Sequence, residues 1–229
     1  MKKTYKRILA LLCVLVIGLS MVACGGSAPA ESNDAPAADA PAAEVPAASG
    51  DKYIKFVMAG PSDPGNYLPF NADNSVRGTY SLFFYENLFD IFGTSGLTPT
   101  IASGYERVAD GTYHVTLREN VYAGEPIKAS DVVFSFEQPM ALGERTSTLG
   151  DLKSVTALDD YKVEFVFNPD ALGTFERAVT STPIVSQKSY EASETGFSSD
   201  PVGTGPYYIE NWIPGASMTL KKDENYWGK

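Results

Sequence analysis

Hydrophobic and polar positions divide the chain into three stretches of different grain. Ile8 to Leu19 is almost unbroken apolar sequence, behind the basic cluster Lys2, Lys3, Lys6 and Arg7. Gly25 to Gly50 holds no aromatic residue, and Val45 is its one larger aliphatic. From Tyr53 onward the apolar positions recur with the periods of folded elements. Tyr53–Met58 predicts a strand ended by Gly60-Pro61 and followed by the turn-rich Ser62–Asn74. Between Tyr80 and Phe89, the residues Leu82, Phe83, Tyr85 and Phe89 stand at helical spacing and predict a helix with one apolar face. Gly111–Arg118 alternates, with Tyr113, Val115 and Leu117 on one side and Thr112, His114, Thr116 and Arg118 on the other. That is a half-buried strand with His114 on its polar face, where a ligand or base role is not needed to explain it.

Further along, Ser130–Phe136 predicts a second helix, opened by Ser130 or Asp131, where an acid suits the helix dipole, and closed by Pro139. Val155–Leu158 and Tyr161–Phe167 flank Asp159-Asp160 as a hairpin, with Tyr161, Val163, Phe165 and Phe167 on one face. Asp170–Val179 predicts a third helix with Asp170 as its cap, and Tyr207–Trp212 with Ser217–Lys221 a hairpin around Pro214-Gly215. There is no internal repeat. Strands and short helices mixed along the chain, with antiparallel hairpins prominent, indicate a mixed α/β (α+β) fold.

The first stretch has the form of an export signal. The apolar run is shorter than the roughly twenty residues a membrane-spanning helix needs, and a basic segment precedes it. It ends in Met21-Val22-Ala23-Cys24, which resembles the lipobox of bacterial lipoproteins, with Met21 in place of the usual leucine. Residues 1–23 are then a signal peptide, and the thiol of Cys24 is the lipid-accepting group. The Gly/Ser/Ala/Pro and acidic stretch behind it cannot bury enough apolar surface to offset its ordering entropy, so residues 24–50 are expected to form a disordered tether.

Charge narrows the partners. The 18 basic and 28 acidic residues give a formal charge of −10. Four of the basic residues lie in the leader and none of the acids do, so the mature chain carries −14. Such a balance excludes a phosphate-backbone partner, which needs clustered Lys and Arg, and a polybasic membrane-surface binder. Cys13 and Cys24 both precede the folded stretch, so disulfides, zinc clusters and cysteine nucleophiles play no part in it. One histidine leaves no metal-ligand spacing, and there is no G-x-S-x-G elbow. Gly203-Thr204-Gly205 lacks the following Lys-Ser/Thr and helix that a phosphate loop requires, and Pro206 and a strand follow it instead. Neither a catalytic set nor a cofactor is indicated. Aromatic residues are plentiful, at 12%, and include Tyr67, Phe70, Tyr80, Phe84, Tyr85, Tyr207, Tyr208, Trp212 and Tyr226. Singly they suit core packing; together they would also line an apolar cleft with a few polar groups to orient a small ligand.

Several motifs in order carry a resemblance. Pro201-Val202-Gly203-Thr204-Gly205-Pro206-Tyr207, then Trp212, Pro214-Gly215 and Asn225-Tyr226-Trp227-Gly228, resemble the strongest motif of family 5 solute-binding proteins, the extracellular receptors of ABC importers for peptides, nickel chelates and some sugars. Asp63-Pro64, Tyr85-Glu86-Asn87-Leu88, Leu97-Thr98-Pro99, Asp110–Tyr113 and Ala129–Phe136 agree in order. The likeness extends from Tyr53 to Lys229. Ser103-Gly104-Tyr105, Tyr122–Glu125 and Lys128 depart from the family pattern and blur the subfamily.

The resemblance implies a lobe of the type II periplasmic-binding-protein kind with an additional subdomain. The first lobe would comprise residues 53–76 and 201–229, the extra subdomain about 85–183, and the second lobe would be absent from this chain. Family members run longer, and Asn225–Gly228 falls near their middle, so residues 51–229 are expected to supply one wall of a two-lobed cleft. The implied function is a monomeric, lipid-anchored receptor on the outer face of the cytoplasmic membrane, or in the periplasm of a two-membrane cell. It would capture peptides or a related small solute for ABC permease subunits, with no cofactor, metal, enzymatic activity or nucleic-acid partner. A lipid-anchored hydrolase or adhesin is the competing class. Ligands in open sheets meet loops at the carboxyl ends of strands near chain crossovers. Asn66, Asn71, Asp73 and Asn74 in the loop after the first strand, and Gly203, Thr204 and Gly205 where the chain re-enters the lobe, are therefore the candidate ligand-binding residues, though plain turn chemistry would also account for each.

The lipobox reading has a direct test. Cys24→Ser should abolish lipid labelling and release the protein from the membrane fraction; a variant that stays membrane-bound and labelled contradicts it.

Overall fold

Whether a short apolar segment becomes helix or strand depends on where its backbone N–H and C=O groups find partners, and the segment around Tyr85 shows this. The computed structural model describes residues 67–70, 82–91, 96–144, 146–169 and 173–228. All of them belong to one compact unit, Val57–Lys229; the other unit, Met1–Phe56, lies outside the described residues. The predicted helix over Tyr80–Phe89 is not formed. Only Leu82–Phe84 makes a helical turn (α1), and Phe89–Ile91 (β1) is extended, paired antiparallel with Leu97–Pro99 (β2). Between them the backbone bonds to distant segments instead of to its own next turn. Gly205 N donates to Phe84 O, Ile184 N to Glu86 O, and Thr100 N and Ala102 N both to Leu88 O. Of the expected stripe Tyr85 and Phe89 are buried, Phe83 is half-buried and Leu82 is exposed, while Phe84 and Leu88, outside that stripe, are buried, so the helical period was misread.

Four strands form the main sheet: Ala102–Ala109 (β3), Thr112–Leu117 (β4), Leu152–Asp159 (β5) and Lys162–Phe167 (β6), all antiparallel in the order β3-β4-β6-β5. The alternation read from the sequence is realised. Val115, Leu117, Val163, Phe165 and Phe167 are buried, while His114 stands on the other face with its Nε2 3.0 Å from Glu164 Oε2 on the neighbouring strand. Gly111 joins β3 to β4 at φ +70°, and a Cβ there would lie 2.6 Å from Phe167 O, so this turn excludes any side chain.

Helix α2, Ala129–Ala141, packs on the buried face of the sheet. Its N-cap is Lys128, and Asp131 completes the end by accepting from Lys128 N at 2.8 Å with one oxygen and from Gln187 N at 2.8 Å with the other. Pro139 does not close the helix. It lies in the last turn, where a missing N–H removes one intrahelical bond, and the chain continues through Leu142 N to Gln138 O and Glu144 N to Pro139 O. Short helices follow at Thr146–Leu149 (α3), Thr174–Val179 (α4) and Gln187–Ala192 (α5). The third predicted helix is thus shorter than expected. Gly173 at φ +71° is its N-cap, and Asp170 lies outside the described residues. The last hairpin, Tyr207–Ile213 (β7) and Ser217–Lys222 (β8), extends one residue further at the C-terminal end of each strand than the alternation indicated. The strand over Tyr53–Met58, the leader and the tether are outside the described residues.

Two apolar clusters organise these elements. The larger lies between the sheet and α2 and includes an edge-on contact of Phe136 with Phe165 (ring centroids 4.9 Å apart) and a parallel stack of Tyr113 on Phe175 at 4.0 Å. The smaller gathers Tyr67, Phe70, Phe84, Tyr85, Val185 and Phe197, with Trp212 and Leu220 of the last hairpin against it. Truncating Phe165, fully buried among Phe136, Phe167 and Phe175, should cost about 3–5 kcal/mol. Urea denaturation of Phe165→Ala should show a lower midpoint with an unchanged slope.

Candidate functional site

Three of the sequence motifs that stand far apart in the chain meet at one carboxylate. Glu86 follows α1 in irregular chain, with its N–H donating to Thr204 Oγ1 at 3.0 Å and its carbonyl accepting from Ile184 N at 2.9 Å. Its side chain reaches residues 140 and 141 positions later: Tyr226 Oη donates to Oε1 at 2.6 Å and Trp227 Nε1 to Oε2 at 2.9 Å. The same indole N–H also lies 3.0 Å from Thr204 O. Neighbouring bonds brace the segment, with Tyr85 Oη donating to Tyr67 O and Asn87 Nδ2 to Thr180 O.

The turn that threads this junction must be glycine. A Cβ on Gly203 would come within 2.0 Å of Phe84 O, and one on Gly205 within 2.5 Å of Phe83 O. Thr204 between them is buried, and its hydroxyl and carbonyl face Glu86 and Trp227. Close approach of two backbones, rather than a left-handed φ, is the reason for both glycines.

Burial dominates the electrostatics of Glu86. It pushes the carboxyl from its ordinary 4.5 up to about 7, and the bonds from Tyr226 and Trp227 oppose that rise by favouring the ionised form, while nearby Asp90 adds to it. Tyr226 is raised in turn, by its own burial and by the carboxylate beside it. Two clefts flank the junction. One, of about 410 Å³, is lined by Glu86, Thr100, Arg118, Asn120, Tyr226 and Trp227 among others. The second, of about 440 Å³, is lined by Tyr122, Gly124, Gly203, Asp223 and Asn225. Among the described residues no group of His, Cys, Asp and Glu is placed to hold a metal ion, and no helix is long and apolar enough to cross a membrane.

Of the residues singled out from sequence, Gly203 lines the second cleft, whereas Thr204 and Gly205 bond to the Phe84–Glu86 segment. Asn66, Asn71, Asp73, Asn74 and Cys24 are outside the described residues. Glu86 was visible only as part of a motif. The available signal was an acid set within the aromatic run Phe83–Phe89, where a solvated role is hard to satisfy.

The family model for bacterial extracellular solute-binding proteins, family 5 (middle region), matches residues 96–229, more than half of the chain. The chain belongs to that family. Family 5 solute-binding proteins are receptors and not enzymes. Among curated relatives, the oligopeptide-binding protein AppA of Bacillus subtilis is 26% identical over 238 residues, covering 98% of this chain and 42% of AppA. The probable ABC transporter periplasmic-binding protein SapA of Escherichia coli is 26% identical, covering 71% of this chain and 36% of SapA. The chain therefore spans about two-fifths or less of these relatives. Among solved structures, the mannohexaose-bound periplasmic oligopeptide-binding protein of Thermotoga maritima is 31% identical, with a TM-score of 0.62, covering 73% of this chain and 32% of that one. The fold is accordingly that of part of a type II periplasmic binding protein.

For this family 5 chain the Glu86 junction gives a signed pH dependence. Below pH 4.5 the carboxyl is protonated folded and unfolded; between about 4.5 and 7 the unfolded chain ionises it while the fold holds the proton. A raised carboxyl therefore contributes stability that is present at low pH and lost as pH rises through 7. Allowing for its partial solvent access, the loss is about 2 kcal/mol. Glu86→Gln should remove it, so the stability difference between wild type and variant, from urea melts at pH 5 and pH 8, should change by that amount. An unchanged difference contradicts the assignment.

Proposed function

We propose that the protein acts as part of a lipid-anchored, extracytoplasmic receptor that captures peptides and hands them to an ABC permease. The observation that carries this reading is membership of family 5 together with a relative named for oligopeptide binding, AppA along 98% of this chain, and one named as an ABC transporter periplasmic-binding protein, SapA along 71%. The leader ending in Cys24, with its Ala/Pro/acidic tether, supports display outside the membrane. A receptor of this kind needs no catalytic residue, and it closes two lobes around its ligand.

The same reading takes residues 53–76 and 201–229 as first lobe and about 85–183 as added subdomain. The two apolar clusters support that division: the smaller gathers Tyr67, Phe70 and the last hairpin, and the larger the four-stranded sheet and α2. Asn66, Asn71, Asp73 and Asn74 are proposed as ligand contacts on the first-strand loop, with Gly203 beside the second cleft. An oligosaccharide is the second reading, favoured by the mannohexaose-bound relative at 31% identity.

Thermal-shift measurements on the protein against short peptides, a nickel–histidine chelate and mannohexaose separate these. A ligand at a hundred times its Kd adds about 2.7 kcal/mol of stability. Peptides should raise Tm by several degrees at lower concentrations than the chelate or the sugar. Turnover of a peptide without stoichiometric binding would move the assignment to the hydrolase class.

A further inference from the structure

The cleft of about 410 Å³ beside Glu86 holds two opposite charges that are not paired with each other. Glu86 contributes a carboxyl whose oxygens each accept one bond, from Tyr226 and from Trp227. A carboxylate offers about four acceptor positions, so capacity remains. Arg118 donates its Nε to Thr100 O at 2.7 Å, which fixes the side chain, and it makes no ion pair among the described residues. Its guanidinium carries further donors in a planar fork suited to a carboxylate. The same cleft is lined by Asn120 and by Tyr226 and Trp227, whose ring centroids lie 5.6 Å apart. Opposite charges that line one cleft without forming an ion pair, with two aromatic side chains in the same lining, match a ligand that carries both charges and an apolar side chain.

We propose that this cleft binds a free α-amino acid with an apolar or aromatic side chain, its ammonium group on Glu86, its carboxylate on Arg118 and its side chain against Tyr226 and Trp227. The volume admits such a molecule with several waters, at about 30 Å³ each. A ligand lacking either charge leaves one desolvated protein charge uncompensated, so discrimination against it is strong. The site goes beyond the receptor reading. It uses none of the residues proposed for peptide capture, and its occupancy would brace Tyr226 and Trp227 against the Gly203–Gly205 turn.

The charged and titratable groups around Glu86 are Asp90 on its own segment, Tyr226, and Arg118 in the lining of the same cleft. With the Glu86 carboxyl near 7, an arriving ammonium draws it to the ionised form, and binding at pH 7 releases about half a proton.

Titration calorimetry of the full chain with L-phenylalanine at pH 7, in phosphate and in Tris, tests this. The expected result is one site, a buffer-dependent heat corresponding to about half a proton released, and at least tenfold weaker binding of 3-phenylpropionate and of phenethylamine. Arg118→Gln should weaken phenylalanine at least tenfold while leaving any peptide-induced thermal shift in place, which separates failure of this site from failure of the receptor reading. If that variant does not fold, the two analogues decide the matter on the wild-type protein. No heat and no change in tryptophan fluorescence at about 10 mM phenylalanine, equal binding of either analogue, or unaltered binding by a folded Arg118→Gln overturns the proposal.

Discussion

A half-buried carboxylate that accepts hydrogen bonds from two aromatic side chains 140 residues away is the constraint around which the described part of this molecule is arranged. Among the described residues Glu86 forms no ion pair that would offset its desolvation, and donors from Tyr226 and Trp227 take that place. The bonds in turn require the Asn225–Gly228 segment to lie against the chain between α1 and β1, and the Thr204 carbonyl shares the same indole N–H. Gly203 and Gly205 have to lack side chains because the Phe83–Phe84 backbone passes against them. The junction thus sets what sequence each of three remote motifs can carry. It also explains why the helix does not continue through Phe84–Leu88, since the backbone groups of that segment are already engaged by residues 100, 102, 184, 204 and 205.

Much of the sheet was legible because alternation is a local signal. Val115 and Leu117, and Val163, Phe165 and Phe167, are buried as the period of two requires, and the turn at Asp159-Asp160 sits where two acids are easily solvated. The polar placement of His114 followed from the same alternation, and its partner Glu164 comes from strand pairing. The helix expected at Tyr80–Phe89 fails for a reason a local pattern cannot hold. The spacing caught Tyr85 and Phe89 as buried but placed exposed Leu82 on the same face and left out Phe84 and Leu88, because the period was overruled by hydrogen bonds to distant chain. Pro139 misled in a milder way, since a proline in a final turn removes only one bond and the helix can run past it.

The site was legible in parts and not as a site. Gly203-Thr204-Gly205, Tyr85–Leu88 and Asn225–Gly228 each stood out, but nothing in their spacing says that one carboxylate joins them. The functional assignment accordingly rests on family membership, which the ordered motifs support, and the geometry adds what family membership alone does not contain. It identifies which charged groups are already satisfied by the fold and which, such as Arg118, stand in a cleft with capacity left.

The central structural claim is that Glu86 couples energetically to the segment carrying Tyr226, and a double-mutant cycle at pH 8, where the carboxyl is ionised, measures it. Stabilities of wild type, Glu86→Gln, Tyr226→Phe and the double variant, from urea melts, give the interaction energy directly. A charge-assisted bond of 2.6 Å predicts coupling of about 1 kcal/mol or more. Losses that simply add, to within about 0.3 kcal/mol, would contradict the account.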